Sequence, residues 1–179
     1  MSNIPLQIVE PLVTIHPWSM ESIGSDLTVS GGSLYNTSAA AWPVANASLL
    51  VPFTLSKRVT FVNAFWYQAS AVGNIDAGVY DISGNLLGHT GSIVAAGTLQ
   101  SAALSASFGP GVFYLALTAS SLSEQLWCGA GYSATTLQSW GCVYIAANNM
   151  PMTTGQTIIR VATLFTAIPV FGISTRSVI

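Results

Sequence analysis

Small or apolar residues alternate with polar ones most clearly between Gly73 and Ser92. One face of the first half of this stretch consists of Ile75, Ala77 and Val79. The opposite face consists of Asp76, Gly78 and Tyr80. A period of two residues is typical of a half-buried β-strand, so the pattern predicts a strand here.

The strand is followed by residues that favour a tight turn. Asp81 can hydrogen-bond the backbone two residues further on, while Gly84 and Asn85 tolerate positive φ angles. Leu86 and Leu87 then begin a second apolar strand. The stretch from Gly73 to Ser92 is therefore predicted to be a β-hairpin.

Other short stretches also have strand character. They are residues 49–55, 59–67, 98–108, 112–118 and 156–166. Residues 98–108 suit a helix or a strand by composition, and their neighbours favour a strand. Both faces of 59–67 are apolar, which indicates a central strand or a subunit contact.

Short strands separated by Gly and Pro turns, without a convincing helix, predict an all-β fold, an antiparallel β-sandwich of jelly-roll type. Residues 49–168 are assigned to the sandwich domain, and residues 169–179 to an extended C-terminal tail. Residues 1–48, which contain four prolines, form either an extended N-terminal arm that docks on a neighbour or first strands packed on their own domain.

The composition is unusual because 51% of the residues are hydrophobic and only 6% are charged, against about 25% in typical domains. A membrane-spanning helix needs about 20 nearly continuous apolar residues, and polar residues, Gly or Pro interrupt every apolar run here. The remaining explanation is a neutral surface that neighbouring protein copies partly cover. Low charge leaves little repulsion between copies, which favours an oligomer or a lattice.

The sequence argues against several other classes of function. A net charge of −2 with four scattered basic residues does not suit nucleic acid. Cys128 and Cys142 match no zinc pattern and are expected to be buried free thiols, with a disulfide as the alternative. No cofactor or metal ion is expected.

Catalytic residues are not expected either. Asp76 and Asp81 would lie about 16 Å apart on opposite faces of a strand, which does not suit a glycosidase pair. His89 is interpreted as a surface residue of the hairpin, because no nucleophile elbow accompanies it. The chain is therefore predicted not to be an enzyme.

Four aromatic residues in a Gly- and Ser-rich region are the strongest binding signal. They are Trp127, Tyr132, Trp140 and Tyr144. Together with Asn148 and Asn149 they could form a platform for sugar rings, or they could fill the core or a subunit interface. The second interpretation is favoured, because nothing in the sequence shows these rings exposed together.

The hairpin motif resembles one found in small structural proteins of tailed bacteriophages. Its residues are Asn74, Asp76, Gly78, Val79, Tyr80, Asp81, Gly84, Asn85 and Leu87, followed by Thr90, Gly91 and Ser92. The similarity extends over about residues 45–120 and includes the strand 108–116. It implies a jelly-roll sandwich that serves as a head-decoration, neck, tail or fibre subunit.

The leading hypothesis is therefore a non-enzymatic virion structural protein that is made in the host cytoplasm. Its expected partners are copies of itself, as a trimer, and other virion proteins. The alternative is a carbohydrate-binding or receptor-binding module whose Trp127–Tyr144 aromatics contact a glycan of the host surface.

Overall fold

A computed structural model describes residues 20–23, 26–31, 38–128, 133–160 and 165–175 of the protein. The strands are β1 Met20–Ile23, β2 Asp26–Gly31, β3 Ser38–Ala41, β4 Ser48–Leu55, β5 Val59–Tyr67, β6 Asn74–Asp81, β7 Leu86–His89, β8 Ile93–Val94, β9 Leu99–Phe108, β10 Gly111–Ala119, β11 Gln125–Cys128, β12 Val143–Ile145, β13 Ile159–Arg160 and β14 Phe171–Ser174. One short helix, α1 Ala134–Ser139, accompanies them. The predicted all-β character is thus confirmed.

The strands form three antiparallel sheets. The first has the order β1-β2-β14-β5-β9. The second has the order β13-β12-β4-β10-β6-β7, with β8 also paired to β6, and a small third sheet joins β11 to β3. The predicted hairpin is present as β6 and β7.

Most strand predictions agree with the structure, but one does not, and the structure contains a helix that was not predicted. The predicted strand at 156–166 is wrong in extent, because 156–158 are irregular and only Ile159–Arg160 pair, while residues 161–164 lie outside the described part. Helix α1 was not predicted, since its six residues lie in a region whose Gly and Ser content indicated irregular structure.

The two larger sheets contribute side chains to one core. Ile75, Ala77 and Val79 of β6 belong to it, as the alternation predicted, and Phe61 and Trp66 of β5 join it from the first sheet. A smaller apolar cluster lies on the opposite face of the second sheet, around Leu50, Tyr80, Ala116, Val143, Ile145 and Met152. Residues 146–158, which we call the strap, lie against this face.

The parts assigned to an arm and a tail contain paired strands. β2 of the predicted arm pairs with β14 of the predicted tail, and β14 lies between β2 and β5. Of the other described strands of this range, β1 pairs with β2 and β3 pairs with β11. Residues 1–19 lie outside the described residues.

The register places the connections between strands at two opposite ends. At the hairpin end, the turns 56–58, 82–85 and 109–110 lie together, since Leu55 pairs with Gly111, and Phe113 with Asp81. At the loop end, residues 68–73, 90–98 and 120–124 are joined by backbone hydrogen bonds such as Ser120 N to Asn74 O, 2.9 Å. None of the described residues belongs to a helix that is long and apolar enough to cross a membrane.

Candidate functional site

A fully buried carboxyl group, that of Asp76 on β6, lies on the face that the strap covers. Its Oδ2 lies 2.9 Å from Nδ1 of His89 and accepts the backbone N–H of Met152 at 2.7 Å. Its Oδ1 accepts the hydroxyl of Thr90 at 3.2 Å. The same nitrogen of His89 accepts the backbone N–H of Gly91 at 3.3 Å, so the ring lies between the carboxyl group and the backbone that follows β7. The Met152 N–H, the Thr90 hydroxyl and the His89 ring therefore take the place of the water that the carboxyl group loses on burial.

A second polar group surrounds the hydroxyl of Tyr80. The amide of Asn148 donates to this hydroxyl and to Ser48 Oγ, both at 2.8 Å, and the hydroxyl donates to the carbonyl of Thr153 at 2.8 Å. Burial raises the pKa of Tyr80 to about 12, a change that the Asn148 hydrogen bond opposes and the nearby Asp76 reinforces. Asn148 and Thr153 belong to the strap, so the phenol helps to hold the strap on the sheet.

Two glycines of the hairpin motif give the strap room to pack. A Cβ at Gly78 would lie 2.8 Å from the carbonyl oxygen of Gly88 and 3.1 Å from the sulfur of Met152. Gly84 has a φ of +84°, and a Cβ there would collide with the carbonyl oxygen of Gln156. The backbone N–H of Gln156 in turn donates to the carbonyl of Gly84 at 3.0 Å. Both glycines thus belong to the surface on which the strap packs.

The turn of the hairpin is organised by the carboxylate of Asp81. It accepts the backbone N–H groups of Ser83 at 2.8 Å and Asn85 at 2.9 Å, and the side-chain amide of Asn85 at 2.8 Å. Partial burial alone would raise the pKa of Asp81, but these hydrogen bonds outweigh it and lower the pKa. Asp81 and Asn85 therefore stabilise the turn locally, whereas Asp76 acts at the strap.

The pair of Asp76 and His89 resembles the histidine–carboxylate part of a catalytic triad. The sequence interpretation of His89 as an isolated surface residue missed this contact. Among the described residues, no hydroxyl or thiol bonds to His89, and the hydroxyls of Ser48 and Thr118 are hydrogen-bonded to each other. No group of three or more potential metal ligands occurs in the described part of the chain either.

Both cysteines are buried free thiols, as favoured from the sequence. Burial raises the pKa of Cys128 and that of Cys142 to about 12. The thiolate is the reactive form, so these groups are poor nucleophiles at neutral pH.

The four predicted aromatic residues do not lie in a common environment. Trp140, at the end of α1, and Tyr144, on β12, are half-buried and pack against the large core. Tyr132 lies outside the described residues. Trp127, on β11, is half-buried and lines a groove beside the loop end.

This groove, which we call the aromatic groove, has a volume of about 620 Å³. Its larger lining residues are Phe65, Tyr67, Leu99, Trp127 and Val170. The rings of Tyr67 and Trp127 are stacked, with centroids 5.8 Å apart and planes inclined by 26°. Phe65 and Tyr67 lie on the outer face of β5, the strand whose two apolar faces predicted a central strand or a subunit contact. In the sheet, β5 lies between β14 and β9. The sequence did not link Tyr67 with Trp127, because they meet through the bridge between Gln68 and Leu126 and through Val170, whose backbone hydrogen-bonds to both.

A buried polar pair, Gln68 and Glu124, holds the loop end together next to the groove. The Gln68 amide donates to Glu124 Oε1 at 3.0 Å, and the other carboxylate oxygen accepts the N–H of Val72 at 3.2 Å. Gln68 also accepts the N–H of Ala96 at 3.1 Å, which links the third loop. Burial raises the pKa of Glu124, although both hydrogen bonds to its carboxylate oppose this change.

Comparison with known proteins does not assign the chain to a family. No protein-family model matches the chain, and neither a curated protein nor a solved structure matches it significantly.

Proposed function

We propose that the chain is a non-enzymatic structural subunit of a bacteriophage virion. In this proposal it is a jelly-roll β-sandwich that assembles as a homo-oligomer, with a trimer as the expected form, on the head, neck, tail or fibre of the particle. The observation that carries the proposal is a set of large apolar side chains that remain more than a third exposed on a surface nearly without charge.

These exposed residues occur at both ends of the molecule and also between them, as at Val62 in the middle of β5. They are Val62, Val72, Ile82, Leu87, Val94, Leu99, Val112, Leu122 and Ile159. Single exposed apolar residues are normal, but a surface with so few charges offers little to prevent copies from associating. Burial against identical neighbours or other virion proteins would remove these side chains from water.

The residues of the hairpin motif are a second observation that supports the structural role. Asp81 and Asn85 build the turn, while Asp76, Gly78 and Gly84 contact or accommodate the strap. The motif therefore serves structure in this chain, which is what its resemblance to phage structural proteins leads one to expect. The common core of the two larger sheets supports the sandwich part of the proposal.

The test is to look for the chain in purified particles. Quantitative mass spectrometry of virions that have been separated from infected-cell lysate should find it at a fixed copy number, a multiple of three if the trimer is right. Presence in the lysate together with absence from the particles would contradict the proposal.

A second candidate function is a carbohydrate-binding or receptor-binding module. The stacked rings of Tyr67 and Trp127 favour it, because aromatic faces offer a large, rigid contact surface for a ring-shaped ligand. In this version the partner is a glycan of the host surface, and saturable binding of a neutral sugar would distinguish it from assembly alone.

A further inference from the structure

The loop end combines projecting apolar side chains with an apolar depression. Val94 of the loop 90–98 is 70% exposed and Leu122 of the loop 120–124 is 57% exposed. Val72 is exposed on the loop 68–73. Leu99 is exposed and also lines the aromatic groove, so the projections and the groove adjoin each other. The hydrogen bonds of Gln68, which itself lines the groove, connect all three loops into one surface.

This surface suits only a neutral partner. The three loops contain a single ionisable side chain, Glu124, which is fully buried and hydrogen-bonded. The exposed charges of Lys57 and Arg58 and the half-exposed carboxylate of Asp81 lie at the hairpin end. A charged partner would lose hydration at the loop end without gaining an opposite charge, which is costly.

We infer that the loop end is a contact surface between copies of this chain, in which Val94 and its neighbours on one copy pack on the aromatic groove of the next. The inference rests on the proposed homo-oligomeric function and specifies which surface it uses. The chain is itself nearly uncharged, and it presents a projection beside a depression of the same apolar character. Two copies are therefore complementary in both charge and polarity, and contacts of this kind can close into a ring such as a trimer.

The experiment compares two aspartate substitutions at equally exposed positions at opposite ends. Val94→Asp places a carboxylate at the centre of the inferred contact, and Ile82→Asp, at a position that is 66% exposed, places one at the hairpin end. Light scattering coupled to size-exclusion chromatography of the full chain, over a range of concentrations, measures association. We expect Val94→Asp to weaken it by at least about tenfold and Ile82→Asp to leave it as in the wild type.

A further variant and a fold control make the test decisive. Circular dichroism shows whether Val94→Asp folds, and Leu122→Asp on a separate loop repeats the test if it does not. An oligomer that resists both loop-end substitutions, or one that Ile82→Asp dissociates, overturns the inference and leaves the proposed function standing. Conversely, an oligomer that Val94→Asp disrupts, from a chain that is missing from virions, supports the inference and contradicts the proposed function. A monomeric wild-type chain would overturn both.

Occupation of the groove by a glycan is the other outcome to be distinguished. Neutral methyl glycosides and maltohexaose, added at millimolar concentration, are expected to cause no saturable change in tryptophan fluorescence. A saturable change that disappears in Trp127→Ala but persists in Trp140→Ala would assign the groove to a sugar and overturn the inference.

Discussion

The strap-covered face and the loop end are both apolar, but the chain covers only the first with its own residues. On the strap-covered face, Leu50, Ala116 and Met152 are buried, and the polar groups of Asp76 and Tyr80 hydrogen-bond to the strap. At the loop end, the buried polar pair is equally well satisfied, but the apolar side chains around it remain exposed.

The difference shows what the polar groups do in each region. On the covered face, hydrogen bonds fix a segment that completes the burial of apolar surface, so the result is stability of the single chain. At the loop end, hydrogen bonds fix three loops in positions that leave apolar side chains exposed. The result is an ordered apolar surface that is available for contact. If this distinction is right, substitutions in the two regions should change different measured quantities.

The largest expected effect is loss of stability in Asp76→Ala. The change removes the acceptor of the Met152 N–H and the Thr90 hydroxyl and also the contact with His89. A buried donor left without a partner costs about 1–3 kcal/mol. We expect the free energy of unfolding in urea to fall by about 3 kcal/mol. Asp81→Ala is the control, because its donors can turn to water, and it should cost about 1 kcal/mol or less. Equal losses in the two variants would show that the buried network does not hold the strap.

The next effect appears at alkaline pH. A raised pKa means that the folded state favours the neutral phenol of Tyr80, so this contribution is complete below pH 10 and is lost as the pH rises towards about 12. Each tenfold change in proton affinity corresponds to about 1.4 kcal/mol, so the contribution is at most about 3 kcal/mol here.

Tyr80→Phe should therefore lose less stability than the wild type when unfolding is measured from pH 9 to 12. Tyr114→Phe is the comparison, since Tyr114 pairs directly with Tyr80 across the sheet but is half-exposed. Burial also raises the pKa of Tyr114, and Cys142 adds to the change, so a smaller difference of the same sign is expected. A parallel pH dependence of the wild type and Tyr80→Phe would contradict the prediction.

A smaller effect isolates the contact between hairpin and strap. Gly84 and Gly91 have nearly the same positive φ, +84° and +77°, but a Cβ would collide with the strap only at Gly84 and meets nothing within 4 Å at Gly91. Both alanine variants lose about 1 kcal/mol through backbone strain. We expect Gly84→Ala to lose about 2 kcal/mol more by thermal unfolding, because it displaces the strap. Indistinguishable losses would mean that the strap yields at no cost.

Sequence patterns predicted the local features of this contrast and missed the distant ones. The alternation at Ile75, Ala77 and Val79 identified both faces of β6, because the period of a strand is fixed by its backbone. The chemistry of Asp81 and Asn85 located the turn for a similar reason, since these side chains bond within the turn itself.

The contacts that were missed depend on how separate strands meet. Asp76 reaches His89 through the register of β6 and β7. Trp127 reaches Tyr67 because β11 bridges to the residue after β5 and because Val170 hydrogen-bonds to both. A composition poor in charge predicted an associating surface but could not locate it. We infer its location at the loop end because exposed apolar residues adjoin the aromatic groove there; exposure alone does not locate it, since apolar residues are also exposed at the hairpin end.

The smallest expected effect tests the loop end itself, through the pH dependence of stability. Because the pKa of Glu124 is raised in the folded state, its contribution to stability is complete below the ordinary pKa of about 4.5 and is lost as the pH rises through the folded value. Glu124→Gln removes this titration, although one of the two donors that face it then loses its acceptor.

The free energy of unfolding of the wild type minus that of Glu124→Gln should therefore decrease as the pH is raised from 4 to 7. The titration of Asp81 does not obscure this difference, because Asp81 is present in both proteins and its contribution cancels in the subtraction. A difference that increases with pH would mean that Glu124 is stabilised as a carboxylate by its hydrogen bonds. In that case the loop end would be a region built for single-chain stability, like the strap-covered face, and the contrast between the two regions would fail.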